Sequence, residues 1–319
     1  SATVYWAARL QGQWRILSRR IETSGPGPIV RLSPDDCDAI WPSVAKLDDG
    51  RVILSWCGHA EGRFRIWARI IEEDNPGEPF ALSSDESESF RSTISPDAEG
   101  GGWVFWDAYR DGKYAIWGRR VLPELGPAEQ ISPQGANCLQ PTAVATKSGL
   151  FVGWVQAVDV IGGRGALTQW YTLHAAVRGK AGWQPIRDDR GQDTAAELTH
   201  GLIAKMGPKP VSTWGYMGCR RRPMLLADGD AAWLLWERKI DHRGSSPNVK
   251  GELIGRKVAD GIWQKPTVLH QGMLDYRLAE NAHVTDDRFF FLASDLPRGG
   301  RRIYHRVVGD LGDGKPFEQ

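Results

Sequence analysis

Short apolar stretches separated by turn-forming residues run the length of the chain, and the clearest set lies in 40–83. Residues 42–47 alternate apolar and polar, as in a strand with one buried face. Asp48-Asp49-Gly50 follows, and Asp and Gly tolerate the positive φ of a hairpin turn. Residues 52–56 are almost continuously apolar and end in Trp56, the pattern of a strand covered on both sides. A turn at 58–63 leads to a third strand, 64–70. Asn75-Pro76-Gly77 turns again into a short outer strand, 79–82, where Pro79 suits an edge that needs no ladder donor.

This unit recurs on a beat of fifty residues. Trp6, Trp56 and Trp106 keep it, as do Ile16, Ile66 and Ile116, and Arg19, Arg69 and Arg119. Arg256 and Arg306 repeat the same interval near the other end. Self-similarity at this period means stacked copies of one four-stranded unit, here labelled a to d from the inside out. The fold expected is all-β, a six-bladed β-propeller of four-stranded antiparallel blades forming one domain over 1–319. The blades fall at about 1–33, 40–83, 91–132, 140–187, 222–270 and 279–319, with an insertion at 188–221. The first copy has three strands and lacks strand a, so a strand from elsewhere, or chain beyond this sequence, is expected to complete it.

Composition sharpens this picture in three places. The chain has 319 residues, 15 Trp and a net charge of +1, which argues against a surface built for nucleic acid or membranes. No apolar run is long enough to span a bilayer. The four cysteines (Cys37, Cys57, Cys138 and Cys219) show no metal spacing and are expected as thiols; Cys37 with Cys57 and Cys138 with Cys219 are the alternative pairings. No two His stand at a ligand spacing, so neither metal nor cofactor is expected.

Four antiparallel strands per blade put the b–c turns and the d-to-a connections on one face. The long irregular segments, 156–165, 237–250 and 188–221, all fall there, which marks that face as the binding side. The position preceding each inner strand lies at the mouth of the central channel and holds Trp41, Arg91, Gln140, Arg222 and, approximately, Arg277. This position varies where a scaffold position would repeat. Several guanidinium groups at one mouth suit an anionic ligand, because Arg offers a planar fork to carboxylate or phosphate. Arg220 and Arg221 add to them. The competing reading pairs these arginines with Asp107, Glu237 or Asp295. Aromatic and His residues on the same face are Tyr109, Trp214, Tyr216, Tyr276, His59, His200, His242 and His270. By contrast Arg19, Arg69, Arg119, Arg256 and Arg306 repeat at one strand-c position and read as scaffold.

The order of strand, Asp-Gly turn, apolar strand ending in Trp, charged turn, strand ending in Arg and then Leu-Ser resembles the TolB-type and sialidase-like propeller repeats of bacteria. Pro42, Asp49-Gly50, Trp56, Ile66, Arg69 and Leu82-Ser83 carry the resemblance, and the stretch from Trp106 through Arg110 to Tyr114 is its most characteristic part. It is similar to propellers that precede a PHP-type metal-dependent phosphoesterase domain, which implies membership of a larger multidomain protein with its metal cluster outside this sequence. The Asp-Gly turns sit between strands a and b, whereas sialidase boxes lie between c and d. A sialidase-like site would draw on Arg91, Arg222, Arg277, Tyr276 and Asp107, without a local motif to mark it.

Three functions fit these residues. The first is recognition of an anionic saccharide or a protein partner on the decorated face by Trp41, Arg91, Gln140, Arg221, Arg222, Arg277, Trp214, Tyr216 and Tyr109. The second is a hydrolase or lyase for acidic sugars, with catalytic candidates Asp107, Glu237, His270 and Tyr276. The third is an assembly role in a larger protein.

Overall fold

The structure, a computed structural model, describes residues 1–161, 167–197, 223–239, 251–272, 274–276, 283–285, 288–295 and 302–308. Among these residues every regular element is a strand, and the strands form six antiparallel sheets. The chain divides into two compact units, Ser1–Pro141 and Thr142–Gln319.

The first unit holds three sheets in simple meander order. The first comprises Ala2–Leu10, Gln13–Glu22 and Gly25–Arg31, with no fourth strand among the described residues. The second comprises Asp38–Lys46, Val52–Ala60 and Arg63–Glu72, with Asn75–Pro76 and Phe80–Ala81 both on its outer edge. The third comprises Glu88–Pro96, Gly102–Arg110, Lys113–Leu122 and Ala128–Gln130. The division between units falls within the strand Asn137–Thr146.

In the second unit that strand heads a sheet with Gly149–Ile161, Leu167–Gly179 and Gly182–Pro185. Two segments expected as loops are strand in part. The b–c hairpin keeps pairing as far as Ile161 with Leu167, and Ala196–Glu197 returns to pair with Thr172 and Leu173. Strand d of this sheet is therefore interrupted, and the insertion begins inside it. The fifth sheet contains Met224–Asp228, Ala231–Lys239, Gly251–Ala259, Ile262–Trp263 and Thr267–Gly272. In the sixth, Leu274–Tyr276 and His283–Thr285 both pair with Arg288–Asp295, whose other edge takes Arg302–Val308.

The fifty-residue beat is a register. Trp56 stands opposite Trp67 and Trp106 opposite Trp117. Ile16, Ile66 and Ile116 are all closed to solvent, and each closes the same circuit. Their N–H groups donate to the hydroxyls of Ser33, Ser83 and Ser132 at 3.1, 3.0 and 3.0 Å. Their carbonyls accept the amides of Leu32, Leu82 and Ile131 at 2.8, 2.7 and 2.8 Å. The Leu-Ser pair thus ends strand d by satisfying both backbone groups of the strand-c isoleucine, which burial would otherwise leave orphaned.

The b–c turns of the first unit are two-residue turns in which both central residues take positive φ: 50° and 88° at Gln11-Gly12, 53° and 77° at Glu61-Gly62, and 52° and 81° at Asp111-Gly112. This geometry matches the twist of the flanking strands. Among the strand-c arginines, Arg119 and Arg256 make scaffold contacts, whereas the buried Nε of Arg69 has no hydrogen-bond partner among the described residues. Arg119 Nε donates to Gly126 O at 2.7 Å in its own c–d turn, and Nη1 donates to Leu82 O of the preceding sheet at 3.2 Å. Arg256 repeats this with Gln264 O at 2.6 Å and Ala195 O at 2.7 Å.

The sheets of the first unit pack face on face. Ile16 and Leu32 meet Ala39, Leu54, Trp56 and Ile71. Ile53, Cys57, Ile66, Ala68 and Leu82 meet Ile94, Val104, Trp106 and Ala108. The second sheet is thus covered on both sides, which accounts for the unbroken apolar run of its strand b. Cys37, Cys57 and Cys138 are buried and form no disulfide. Cys219 lies outside the described residues.

Candidate functional site

Trp41, Arg91 and Gln140, the positions expected at the channel mouth, share a backbone conformation that the sequence pattern did not reveal. Their φ angles are +54°, +48° and +58°, a left-handed region that side chains of this size rarely enter. At Trp41 and Arg91 the cause is a bulge. In the second sheet the pairing jumps from Ile40 opposite Cys57 to Ser43 opposite Ser55, and in the third from Phe90 opposite Asp107 to Thr93 opposite Phe105. Two residues thus face one, and a bulge re-aims the side chain it carries. The sequence held a partial signal. Pro follows Trp41, Gln140 and Arg222, and a residue that cannot donate to the ladder marks such a break.

Each of the three side chains meets a different environment. Trp41 is exposed. Gln140 is buried, and its Oε1 has no hydrogen-bond partner. Arg91 is 23% exposed and is held on two sides. Its Nε lies 2.7 Å from Oδ2 of Asp107, and its guanidinium carbon sits 5.2 Å from the ring centre of Tyr114 and 5.9 Å from that of Phe90. The same Oδ2 accepts the Gln140 backbone N–H at 2.8 Å. Asp107 itself is 0% exposed. Among the described residues, neither terminal nitrogen of Arg91 enters an ion pair or hydrogen bond. The guanidinium is therefore held at Nε by the ion pair rather than by an aligned hydrogen bond, and the rest of its fork is unengaged among the described residues.

This arrangement realises the competing reading for Arg91, in which Asp107 is its partner. It gives Asp107 a positioning task, because a carboxylate closed to solvent does not reach a substrate. Tyr109 is exposed and packs against Tyr114 across the hairpin, ring centres 4.9 Å apart and ring planes tilted by 50°. Behind these residues a cleft of about 580 Å³ opens between the loops 84–87 and 134–136 and the b–c turn, above Trp106 and Trp117. Lys113 and Arg110 stand at its edge, the first donating to Gly135 O at 2.7 Å and the second paired with Glu86 at 2.9 Å. The b–c turn of the third sheet and the d–a segments on either side of it thus border one cleft.

In the second unit the backbone register places two catalytic candidates on one row. Glu237 stands opposite Leu253, and Leu253 stands opposite His270 on the next strand. Glu237 thus holds the position that Asp107 holds opposite Ile116. Tyr276 stands opposite Ala293. Arg220, Arg221, Arg222, Arg277, Trp214, Tyr216, His200 and His242 lie outside the described residues. Among the described residues no group of three His, Cys, Asp or Glu could hold a metal ion.

A further polar group was not singled out by the sequence. His174, in strand c, is buried and stacks on Trp154, while Thr172 Oγ1 lies 2.8 Å from its Nε2. Burial lowers its pKa below the ordinary histidine value, an effect that nearby Asp193 opposes. Burial likewise pushes the Cys37 thiol up to about 11 and the Cys57 thiol up to about 12.

No protein-family model matches the chain, and no curated protein matches it. Solved structures do. The polysaccharide lyase Uly1 aligns with a TM-score of 0.55 at 8% identity, covering 100% of this chain and 81% of that one. An ulvan lyase bound to a glucuronate and sulfated-rhamnose unit aligns at 0.52 and 11%, covering 95% and 72%. The Penicillium chrysogenum α-L-arabinanase complexed with arabinobiose aligns at 0.50 and 10%, covering 87% and 79%. These are β-propellers, and at such identities the likeness concerns the fold: the chain is an all-β protein of the propeller type.

Proposed function

We propose that this chain takes an acidic saccharide on the face bearing the b–c and d–a connections and cleaves it as a lyase or hydrolase. The observation that carries this reading is Arg91, fixed through Nε by a buried carboxylate and presenting the rest of its fork outward. A planar fork held in this way matches a carboxylate or sulfate in two parallel hydrogen bonds, and its rigidity limits the ordering cost of binding. Neutralising a uronate carboxylate also acidifies the proton on the adjacent carbon, the proton an eliminating enzyme removes. Exposed Trp41 offers a stacking surface for a sugar ring, and the unpartnered acceptor of Gln140 suits a hydroxyl. The three likenesses above include two polysaccharide lyases and a glycoside-cleaving enzyme, which supports turnover over recognition alone. Glu237, His270 and Tyr276 remain the proposed acid–base residues. The proposed architecture is six blades, one per sheet, as the TolB-like and sialidase-like order of the repeat suggests.

The second reading is recognition without cleavage. It is favoured by the enclosure of Asp107, which withdraws the one described carboxylate among the candidates from acid–base work. Incubating the chain with polygalacturonate, alginate, hyaluronan and arabinan separates the two. New reducing ends with ultraviolet absorbance from an unsaturated uronate mean elimination, and new ends alone mean hydrolysis. Binding with neither means recognition. Failure to bind any acidic polymer overturns the proposal and leaves docking within a larger protein as the role of this face.

A further inference from the structure

Five rings run across the hairpin ends of the second and third sheets. His59 and Phe64 are 4.7 Å apart between centres, Phe64 and Phe90 5.3 Å, Phe90 and Tyr114 6.2 Å, and Tyr114 and Tyr109 4.9 Å. None is fully buried, and Tyr109 is 40% exposed. Two of the contacts are cross-strand pairs, His59 opposite Phe64 and Tyr109 opposite Tyr114, and Phe90 bridges them.

The repeat does not require these rings. At the register of the two pairs the first sheet has Arg9 opposite Trp14, the fourth has Ala157 opposite Tyr171, and the fifth has Lys239 opposite Gly251. The strand-a position of Phe90 is Ile40 in the second sheet. Among the described residues, an aromatic pair at the hairpin end is thus particular to these two sheets, and the ring joining them has no counterpart in the second. The guanidinium of Arg91 lies against the two central rings, Phe90 and Tyr114, with its outward edge unengaged.

We infer that this row is an extended binding track for an acidic polysaccharide, several sugars long, with Arg91 gripping one anionic group at its middle. Sugar rings present flat apolar faces that stack on aromatic side chains, as bases do on single-strand binding platforms. The row supplies such faces on both sides of the cation, and the cation supplies the preference for an acidic chain. A protein partner is less suited, because the row is narrow and its one unengaged charge is central. The inference rests on the proposed saccharide function and adds to it a chain-length requirement.

The test is calorimetric titration with galacturonate oligomers of two and six sugars, and a neutral arabinan hexamer as control. Wild type is expected to bind the acidic hexamer at least about tenfold more tightly than the dimer, the gain of one or two added ring contacts. Tyr109→Ala and His59→Ala, at the two ends of the row, are expected to remove most of that gain, His59→Ala leaving dimer affinity unchanged and Tyr109→Ala weakening the hexamer more than the dimer. Arg91→Ala is expected to weaken both oligomers. Equal affinity for dimer and hexamer, or a hexamer advantage that survives both end substitutions, overturns the track while leaving the acidic-sugar reading intact. No binding of either oligomer overturns both. A thermal melt of each variant separates misfolding from loss of contact, and Tyr109→Leu, which keeps bulk without the ring, replaces Tyr109→Ala if the latter does not fold.

Discussion

Arg91 Nε lies 2.7 Å from Asp107 Oδ2, and Asp107 is closed to solvent while Arg91 is not. The buried partner therefore fixes the exposed one. Replacing Asp107 by Asn keeps the shape and removes the charge, leaving the guanidinium without compensation. Because Arg91 keeps part of its contact with solvent, the expected loss is about 1.5 kcal/mol of unfolding free energy, the low end for an interaction with a charged group and below the cost of breaking a fully buried pair. Urea denaturation measures it, and a loss below half a kcal/mol would show that the pair does not order the mouth.

The Ser83 hydroxyl accepts the buried N–H of Ile66 at 3.0 Å. Ser83→Ala leaves that donor unsatisfied inside the stack of sheets, at a cost of about 1–3 kcal/mol. Ser132→Ala should cost a similar amount, since Ile116 stands in the same circuit. Equilibrium unfolding of both variants checks the prediction, and equal stability with wild type would refute it.

Stability should fall on acidification through His174. Its folded pKa is depressed, first by burial, below the unfolded value of 6.5. The unfolded chain therefore takes up the proton first. The contribution is present in full above about pH 6.5 and is lost as pH drops through the folded pKa. A His174→Phe variant should show a flatter stability profile below pH 6.5. An unchanged slope would place the acid sensitivity elsewhere.

The thiols of Cys37 and Cys57 should resist alkylation while the chain is folded. Their pKa values, about 11 and about 12, leave almost no thiolate at neutral pH, and both side chains are enclosed. Mass spectrometry after iodoacetamide treatment should find both unmodified in the native state and modified in urea. Rapid native labelling of either would contradict the packing of the second sheet.

Much of this architecture is legible in the sequence because it repeats. The Trp, Ile and Arg positions fifty apart became the register of the sheets, and Leu82-Ser83 became the closing circuit of strand d. What was hidden depends on contacts between sheets. Asp38, Glu88 and Asn137 each accept the N–H that opens strand c of the preceding sheet, from Trp14 at 2.6 Å, Phe64 at 2.8 Å and Tyr114 at 3.0 Å. They keep the beat nearly as well as the tryptophans, yet three residue types share the one task, so identity does not reveal it. At the mouth, Arg91 and Asp107 were both visible as candidates. The bulge that turns one toward the other is a property of pairing, to which the Pro after Trp41 and Gln140 was the sole clue. The ring row was legible only as scattered aromatics, since Phe64 and Phe90 read as ordinary strand residues until two sheets are stacked.

The central claim, that the outward fork of Arg91 receives the anionic group of a sugar, is tested most directly by titrating a galacturonate oligomer into wild type, Arg91→Lys and Arg91→Ala. Wild type is expected to bind, the Lys variant to bind about tenfold more weakly for want of the fork, and the Ala variant about a hundredfold more weakly or not at all. The neutral arabinan should not compete. Equal binding by all three folded proteins would contradict the account and move the ligand away from Arg91.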